Sequence, residues 1–144
     1  MDYKNFLVDF SSVDLTDVYS EWMWLIDVSD LSRPLGMTSF GDLFFQKDNY
    51  EVYFLDTLEG TVELFAESQE EMIAKLSVQE NLDNYMMTAL VTTLREKNIK
   101  LKINELYIFN VHPIIGGEAV SSNVSVVTMR VALSLIGQLH RQVR

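Results

Sequence analysis

The sequence predicts one α+β domain in which helices pack around an antiparallel sheet. Three observations indicate this class: short β-rich segments between residues 40 and 66, helical periodicity in the segment that follows, and an amphipathic stretch at residues 132–143. Strands gathered together, with helices segregated around them, are typical of α+β domains. A length of 144 residues suits a single domain spanning 1–144.

The first element is predicted to be a short helix. The apolar residues Tyr3, Phe6, Leu7 and Phe10 follow helical spacing, and Ser11 and Ser12 end the pattern. The next apolar run, residues 22–26, has no periodicity that distinguishes helix from strand. This run is left unassigned.

Three strands are predicted to form an antiparallel meander near residues 40–66. Residues 41–46, 52–56 and 61–66 are β-rich, and the two segments between them have the length and turn residues of hairpin loops. Tyr53, Phe54 and Leu55 are apolar on both faces of the middle strand. The middle strand is therefore expected to be covered on both sides.

Two helices are predicted after the meander. Ser68 and Glu71 fit a capping box that begins the first of them. A helical stripe formed by Leu82, Tyr85, Met86, Ala89, Leu90 and Leu94 marks the second, which is expected to end at Asn98. A strand is predicted near residues 106–111, before Pro113 and Gly116, as part of the same antiparallel sheet as the meander, and a closing helix follows it.

Composition excludes several classes of function. The formal net charge is -10, which argues against direct nucleic-acid binding, and the absence of cysteine excludes disulfides and thiolate metal sites. The N-terminus lacks the features of a secretion signal, and residues 124–139 are too short and too polar for a membrane span. A cytoplasmic protein without membrane contact is expected.

Catalytic and metal-binding patterns are weak. His112 and His140 lie 28 positions apart with no partner at ligand spacing, so each is expected to be structural. Asp42 and Asp56 suit turns, where carboxylates accept backbone amides. The Gly116-Gly117 pair lacks the residues of a phosphate-binding loop. No catalytic residue, cofactor or metal is predicted, and the chain is not expected to be an enzyme.

Acidic residues are concentrated in the first half of the chain. Residues 1–72 carry 16 acids and 3 bases, whereas residues 73–144 carry 5 acids and 8 bases. Tyr19, Trp22 and Trp24 stand among several of these acids, as aromatic anchors do at protein interfaces. Burial in the core is the commoner fate of such large side chains, and the sequence leaves both interpretations open.

Six motifs in a fixed order carry a family resemblance. They are residues 22–26, 40–44, 52–56 with Gly60, 113–118, 123–124 and 137–142. Together they resemble the C-terminal domain of type VI secretion immunity proteins, from about Trp22 to the C-terminus. The resemblance implies a cytoplasmic protein that binds and blocks a cognate secreted toxin, which is a DNase in the best known members. It transfers no catalytic residue.

The acidic first half suits a protein that covers the cationic groove of a DNase. We therefore expect the toxin to contact an acidic surface with Tyr19 or Trp22 as its anchor. The predicted contact residues are Asp14, Asp17, Tyr19, Glu21, Trp22, Asp27, Asp30, Glu67, Glu70 and Glu71. The alternative is a small-molecule-binding domain or minor enzyme, in which the Gly116-Gly117 loop and nearby carboxylates line a pocket.

Overall fold

The computed structural model describes residues 2–144, and Met1 lies outside the described residues. Two antiparallel sheets form the frame. The larger sheet has the order β1-β2-β3-β4-β5, and its strands are Leu7–Val8, Pro34–Thr38, Leu43–Gln46, Val52–Asp56 and Thr61–Ala66. The smaller sheet pairs β6 (Glu105–Phe109) with β7 (Val124–Thr128). The predicted α+β class is confirmed.

The predicted meander is confirmed as β3, β4 and β5. The second and third strands have the predicted bounds, and all three pair antiparallel in sequence order. The first strand begins at Leu43, two residues later than predicted, because Gly41 has a φ of 90° that an extended strand does not use.

The larger sheet has a core on each face. Phe44 and Phe54 belong to one apolar cluster, whereas Leu43 and Leu55 belong to the other. Successive side chains of a strand point to opposite faces, so the two clusters lie on opposite sides of the sheet. The expectation that the middle strand is covered on both sides is therefore confirmed.

Different helices cover the two faces. On the Phe44 side pack α2 (Gln69–Leu76), α3 (Gln79–Met86) and α4 (Thr88–Glu96). On the Leu43 side pack α1 (Leu15–Val18), α5 (Met129–Gln142) and two short 3₁₀ helices, Ser20–Trp22 and Val28–Leu31. We call these the α2–α4 face and the α5 face. No helix within residues 2–144 has the length and apolarity that crossing a bilayer requires.

The predicted opening helix is wrong beyond its first turn. Tyr3–Phe6 forms one 3₁₀ turn, and the chain then extends as β1, where Leu7 pairs with Thr38 and Val8 with Met37. Pairing with the sheet overrides the helical spacing of the apolar residues at this point.

The second predicted helix is divided in two. Met87 adopts left-handed backbone angles, with φ 51° and ψ 48°, so α3 ends at Met86 and α4 begins at Thr88. The apolar spacing continues across the break, and neither glycine nor proline marks it. Three helices therefore follow the meander where two were predicted.

The strand predicted near residues 106–111 is confirmed as β6, but its ladder partner is β7 and not the meander. The two sheets are joined by a backbone hydrogen bond of 2.9 Å from Tyr107 N to Ser39 O. The closing helix is confirmed as α5, which packs on the Ser20–Trp22 turn and on both strands of the small sheet.

Candidate partner-binding surface

The two predicted aromatic anchors are buried. Tyr19 and Trp22 are both 0% exposed, between the large sheet and α5. The Tyr19 hydroxyl donates a 2.6 Å hydrogen bond to the Gly41 carbonyl, and the Trp22 indole N–H donates one of 2.9 Å to the Leu133 carbonyl. The prediction that either contacts a partner is wrong, because the core encloses both rings and satisfies their polar atoms.

Several predicted acidic residues form local caps. Asp14 is exposed and accepts a 3.0 Å hydrogen bond from Thr16 N at the start of α1. Asp27 and Asp30 form a capping box at the 3₁₀ helix Val28–Leu31. Each of these three carboxylates therefore stabilises a turn, whatever else it contacts.

Cations from other elements pair with the same part of the chain. Arg130 Nη2 lies 3.2 Å from Asp17 Oδ1, and Arg141 Nη2 lies 3.1 Å from Glu21 Oε2. Lys47 Nζ lies 4.0 Å from Asp30. Because two of these partners belong to α5, the closing helix reduces the negative charge of the predicted surface.

The remaining predicted acids lie on the other side of the molecule. Glu67, Glu70 and Glu71 are at the start of α2, which packs on the α2–α4 face. The Ser68 hydroxyl accepts a hydrogen bond from Glu71 N, so the predicted helix start is confirmed. The Glu71 carboxylate accepts from Glu67 N and not from Ser68 N. The ten predicted residues therefore do not form one continuous surface.

Exposed acids are concentrated in the segment at the β5 end of the large sheet. Residues 48–74, which contain β4, β5 and the start of α2, carry 8 acids and no base. Four exposed acids along this part form no ion pair within the described residues, and we call them the acidic edge: Glu59, Glu63, Glu67 and Glu70. Two of the four were predicted contact residues.

A cavity of about 250 Å³ adjoins the acidic edge on the α2–α4 face. Three carboxylates, those of Asp42, Asp56 and Glu63, line it together with Tyr85 and Met87. We call it the acidic cavity. Burial and the charges of Glu63 and Asp56 raise the pKa of the Tyr85 hydroxyl. Sequence reasoning missed this cavity because its lining comes from three separate segments.

Asp42 is the most buried carboxylate of the cavity, at 6% exposure. Its oxygens accept hydrogen bonds from the Thr38 hydroxyl at 2.6 Å and from both the amide and the hydroxyl of Thr57 at 2.7 Å. Burial, followed by the charge of Asp56, raises the pKa of Asp42 to about 6. The predicted role of Asp42 as an acceptor at a turn is confirmed. Asp56 also has its predicted role, accepting from Leu58 N and Glu59 N.

The two histidines come together in the core, with ring centroids 5.2 Å apart. His140 Nε2 lies 2.7 Å from the Thr57 carbonyl, and His112 Nδ1 accepts a hydrogen bond from Ile114 N. Burial, followed by the charge of His140, lowers the pKa of His112 to about 4. Residues 2–144 contain no group of three or more potential metal ligands. His112 caps the turn Pro113–Ile115, and His140 packs in the core, where its Nδ1 atom is buried without a hydrogen-bond partner.

The glycine loop predicted to line a pocket has a structural reason for its sequence. A side chain at Gly117 would overlap the Val111 carbonyl, and Asn123 closes the loop with hydrogen bonds to the carbonyls of Val111 and Glu118. A 310 Å³ apolar groove next to this loop includes Ile115 and Leu135, but neither glycine. The predicted pocket of glycine loop and carboxylates is therefore not formed.

A family model described as "T6SS immunity protein Tdi1, C-terminal" matches residues 66–140, just over half of the chain. The chain belongs to this family. The match runs from the end of β5 through α2–α4 and the small sheet into α5. The type VI secretion resemblance of the sequence is thus confirmed at the level of the family.

One similar solved structure is titled "Crystal structure of Atu4351 from Agrobacterium tumefaciens". It is 19% identical, has a TM-score of 0.53, and is aligned over 84% of this chain and 62% of that chain. The similarity shows a shared fold, and the immunity-family chain spans less than two thirds of that protein. A search of curated protein sequences gives no match.

Proposed function

We propose that this chain binds and neutralises a cognate toxin of the type VI secretion system in the cytoplasm, and that the toxin is a DNase. Membership of the immunity-protein family supports the first part. The strongly negative charge supports the second, because a DNase must present a cationic groove to its substrate. The chain acts by contact and carries out no reaction.

The observation that carries the proposal is the acidic edge. Its four carboxylates are exposed and belong to a segment of 27 residues without a base, and one of them, Glu63, lines a cavity together with two further carboxylates, Asp42 and Asp56. A surface of one sign accelerates association with a partner of the opposite sign. We therefore place the toxin contact on the acidic edge and remove Tyr19 and Trp22 from it.

The contact surface is tested with the candidate toxin. We take this toxin to be the product of the adjacent gene and use it as a purified inactive variant. Glu63→Lys/Glu67→Lys should lower the association rate about tenfold or more at low salt and flatten its salt dependence. Glu96→Lys/Glu118→Lys is the matched control, since it changes the net charge equally at exposed positions outside residues 48–74. Equal on-rates for both variants would exclude the acidic edge.

The other predicted acids remain a second proposed contact area. Asp14→Asn/Asp27→Asn removes two charges there, while asparagine keeps the capping function. We expect a smaller effect on the association rate than Glu63→Gln/Glu67→Gln produces. The reverse order would move the toxin contact to the α5 face.

Neutralisation itself is tested by growth and by DNA cleavage. Cells that express the adjacent gene should survive only when this chain is co-expressed, and the purified toxin should stop degrading DNA when the chain is added. A toxin that kills without cleaving DNA, yet is rescued, would retain the immunity function and refute the DNase assignment.

The acidic cavity favours a second candidate function, binding of a small cationic ligand. Its support is the buried carboxyl of Asp42, whose pKa is raised to about 6 beside a 250 Å³ cavity. Spermidine and arginine are suitable probes for thermal-shift and calorimetric titrations. Saturable binding that Glu63→Gln abolishes would support this candidate, and no shift at millimolar concentration would refute it.

A further inference from the structure

Strand β5 ends the large sheet and leaves one side without a backbone partner. β4 pairs along its inner side from Thr61 to Ala66, and no other strand within residues 2–144 pairs with its outer side. An edge strand of this kind presents a row of unpaired N–H and C=O groups. The opposite edge, β1, is only two residues long and offers no comparable row.

Cationic side chains of the protein itself already occupy both ends of this row. Lys75 Nζ donates a 2.7 Å hydrogen bond to the Phe65 carbonyl, and the Arg144 guanidinium donates to the Gly60 carbonyl. The residues between them, including exposed Glu63 and Leu64, have no such cover among the described residues. The edge is therefore open in its centre and attracts cations at its ends.

The charges around the uncovered central part of the β5 edge determine which kind of partner segment can bind there. Glu63 lies within the strand, Glu59 precedes it and Glu67 follows it, and none forms an ion pair in residues 2–144. Charged residues on an edge strand discourage self-pairing, because two copies would place like charges together. They favour a partner segment that carries lysine or arginine, as in strand addition to other sheet edges.

We infer that the toxin adds an extended basic segment to the outer edge of β5 as a sixth strand. This inference rests on the proposed function and names the chemistry of the partner at the acidic edge. The acidic cavity supports it, because Glu63 belongs both to the edge strand and to the cavity lining. A lysine or arginine of the added strand, next to Glu63 on the same face, enters this cavity between Asp56 and Tyr85.

Hydrogen exchange of the backbone amides tests the added strand. The full chain is measured alone and in complex with the inactive product of the adjacent gene. Those amides of residues 61–65 that do not already donate to β4 should exchange at least tenfold more slowly in the complex, because these outward N–H groups become hydrogen-bonded. Amides of β1 and of the exposed side of α5 should keep their rates, which provides an internal reference.

The outcomes separate this inference from the proposed function. A complex without slower exchange at residues 61–65 would overturn the added strand and leave the immunity function intact. Failure of the two proteins to bind at all would overturn both. Slower exchange throughout the large sheet, with no excess at β5, would indicate general stabilisation and would also overturn the added strand.

Glu63 provides a second test that does not depend on exchange. Glu63→Gln keeps the size of the side chain and removes its charge, and it should weaken the complex about tenfold at low salt. Glu118→Gln, in the exposed loop before β7, is the matched control and should leave the affinity unchanged. The thermal unfolding midpoints of both variants should stay at the wild-type value, so that folding does not explain the loss. Equal affinities would exclude Glu63 and the cavity from the contact.

Discussion

Trp22 Nε1 lies 2.9 Å from the backbone carbonyl oxygen of Leu133 and donates a hydrogen bond to it, across 111 positions of sequence. This bond fixes the Ser20–Trp22 turn against α5 and places the indole ring in the core of the α5 face. A residue that the sequence offered as a surface anchor is therefore one of the main contacts of the fold.

Replacement of Trp22 should lower stability without altering the partner surface. Trp22→Phe removes the hydrogen bond and leaves part of the indole volume empty, so we expect a loss of about 1–3 kcal/mol in the free energy of unfolding. Urea denaturation measures it. Trp24→Phe is the control: Trp24 is partly exposed and its indole N–H is buried without a partner, so the loss should be smaller. Equal losses would contradict the role of the Leu133 bond.

Gly137 should resist replacement by alanine although it lies within a helix. Alanine ordinarily stabilises a helix interior by about 1 kcal/mol relative to glycine. Here its Cβ would lie 2.8 Å from the Glu21 carbonyl oxygen and 2.9 Å from Trp22 Nε1. We therefore expect Gly137→Ala to destabilise the protein by about 1–3 kcal/mol. Urea denaturation decides the sign, and a stabilised variant would contradict the close packing.

Gly116→Ala distinguishes two reasons why replacing a glycine destabilises a protein: steric contact of the new Cβ atom and an unfavourable backbone conformation. Gly116 has a φ of 98° and open space around its Cβ position. Alanine at this position should therefore cost about 1 kcal/mol through its backbone conformation alone, measured by the same denaturation. A greater loss than that of Gly137→Ala would mean that conformation and not contact dominates.

Asp42 should make the protein less stable as pH rises from about 4 to about 6. Its pKa is raised from 3.8 to about 6, so the folded protein binds more protons than the unfolded chain in this range. Stability from this group is greatest below pH 4 and is lost as pH passes 6, by roughly 2–3 kcal/mol. The test is the difference in unfolding free energy between wild type and Asp42→Asn. A difference that is independent of pH would contradict the shift.

His112 should make the protein less stable as pH falls from about 6.5 towards 4, which is the opposite direction to the effect of Asp42. Its pKa is lowered from 6.5 to about 4, so the unfolded chain binds more protons and stability is lost as pH falls from 6.5 towards 4. His112→Asn keeps an acceptor for Ile114 N and should remove this acid sensitivity. The measurement compares urea midpoints of the variant and the wild type between pH 4 and pH 7. An unchanged pH profile would show that His112 is not the group responsible.

Sequence reasoning worked where local pattern decides the structure. The strands Val52–Asp56 and Thr61–Ala66 have the predicted bounds because alternation and hairpin turns are local signals. It failed at Met87, where a left-handed residue interrupts continuous helical spacing, and at Leu7, where a pairing 31 positions away overrides the local period.

The predicted site depended on information that a sequence does not contain. Trp22 and Glu21 are neighbours in sequence, yet one faces the core and the other pairs with Arg141 at the surface. Glu21 and Glu70 are both acidic, but their elements pack on opposite faces of the sheet. The side of the sheet that a helix covers is a tertiary property. Composition therefore indicated that the protein is acidic, but it did not indicate which of its acidic residues lie on the same side of the molecule.

The position of α5 in the chain has a consequence for synthesis. Leu43, Phe45 and Leu55 are complete in the nascent chain long before the residues of α5 leave the ribosome, because α5 follows every strand. The opposite face receives its helices directly after β5. A growing chain therefore exposes this apolar layer until α5 has been synthesised, and chaperones that bind nascent chains would protect it from aggregation during that interval.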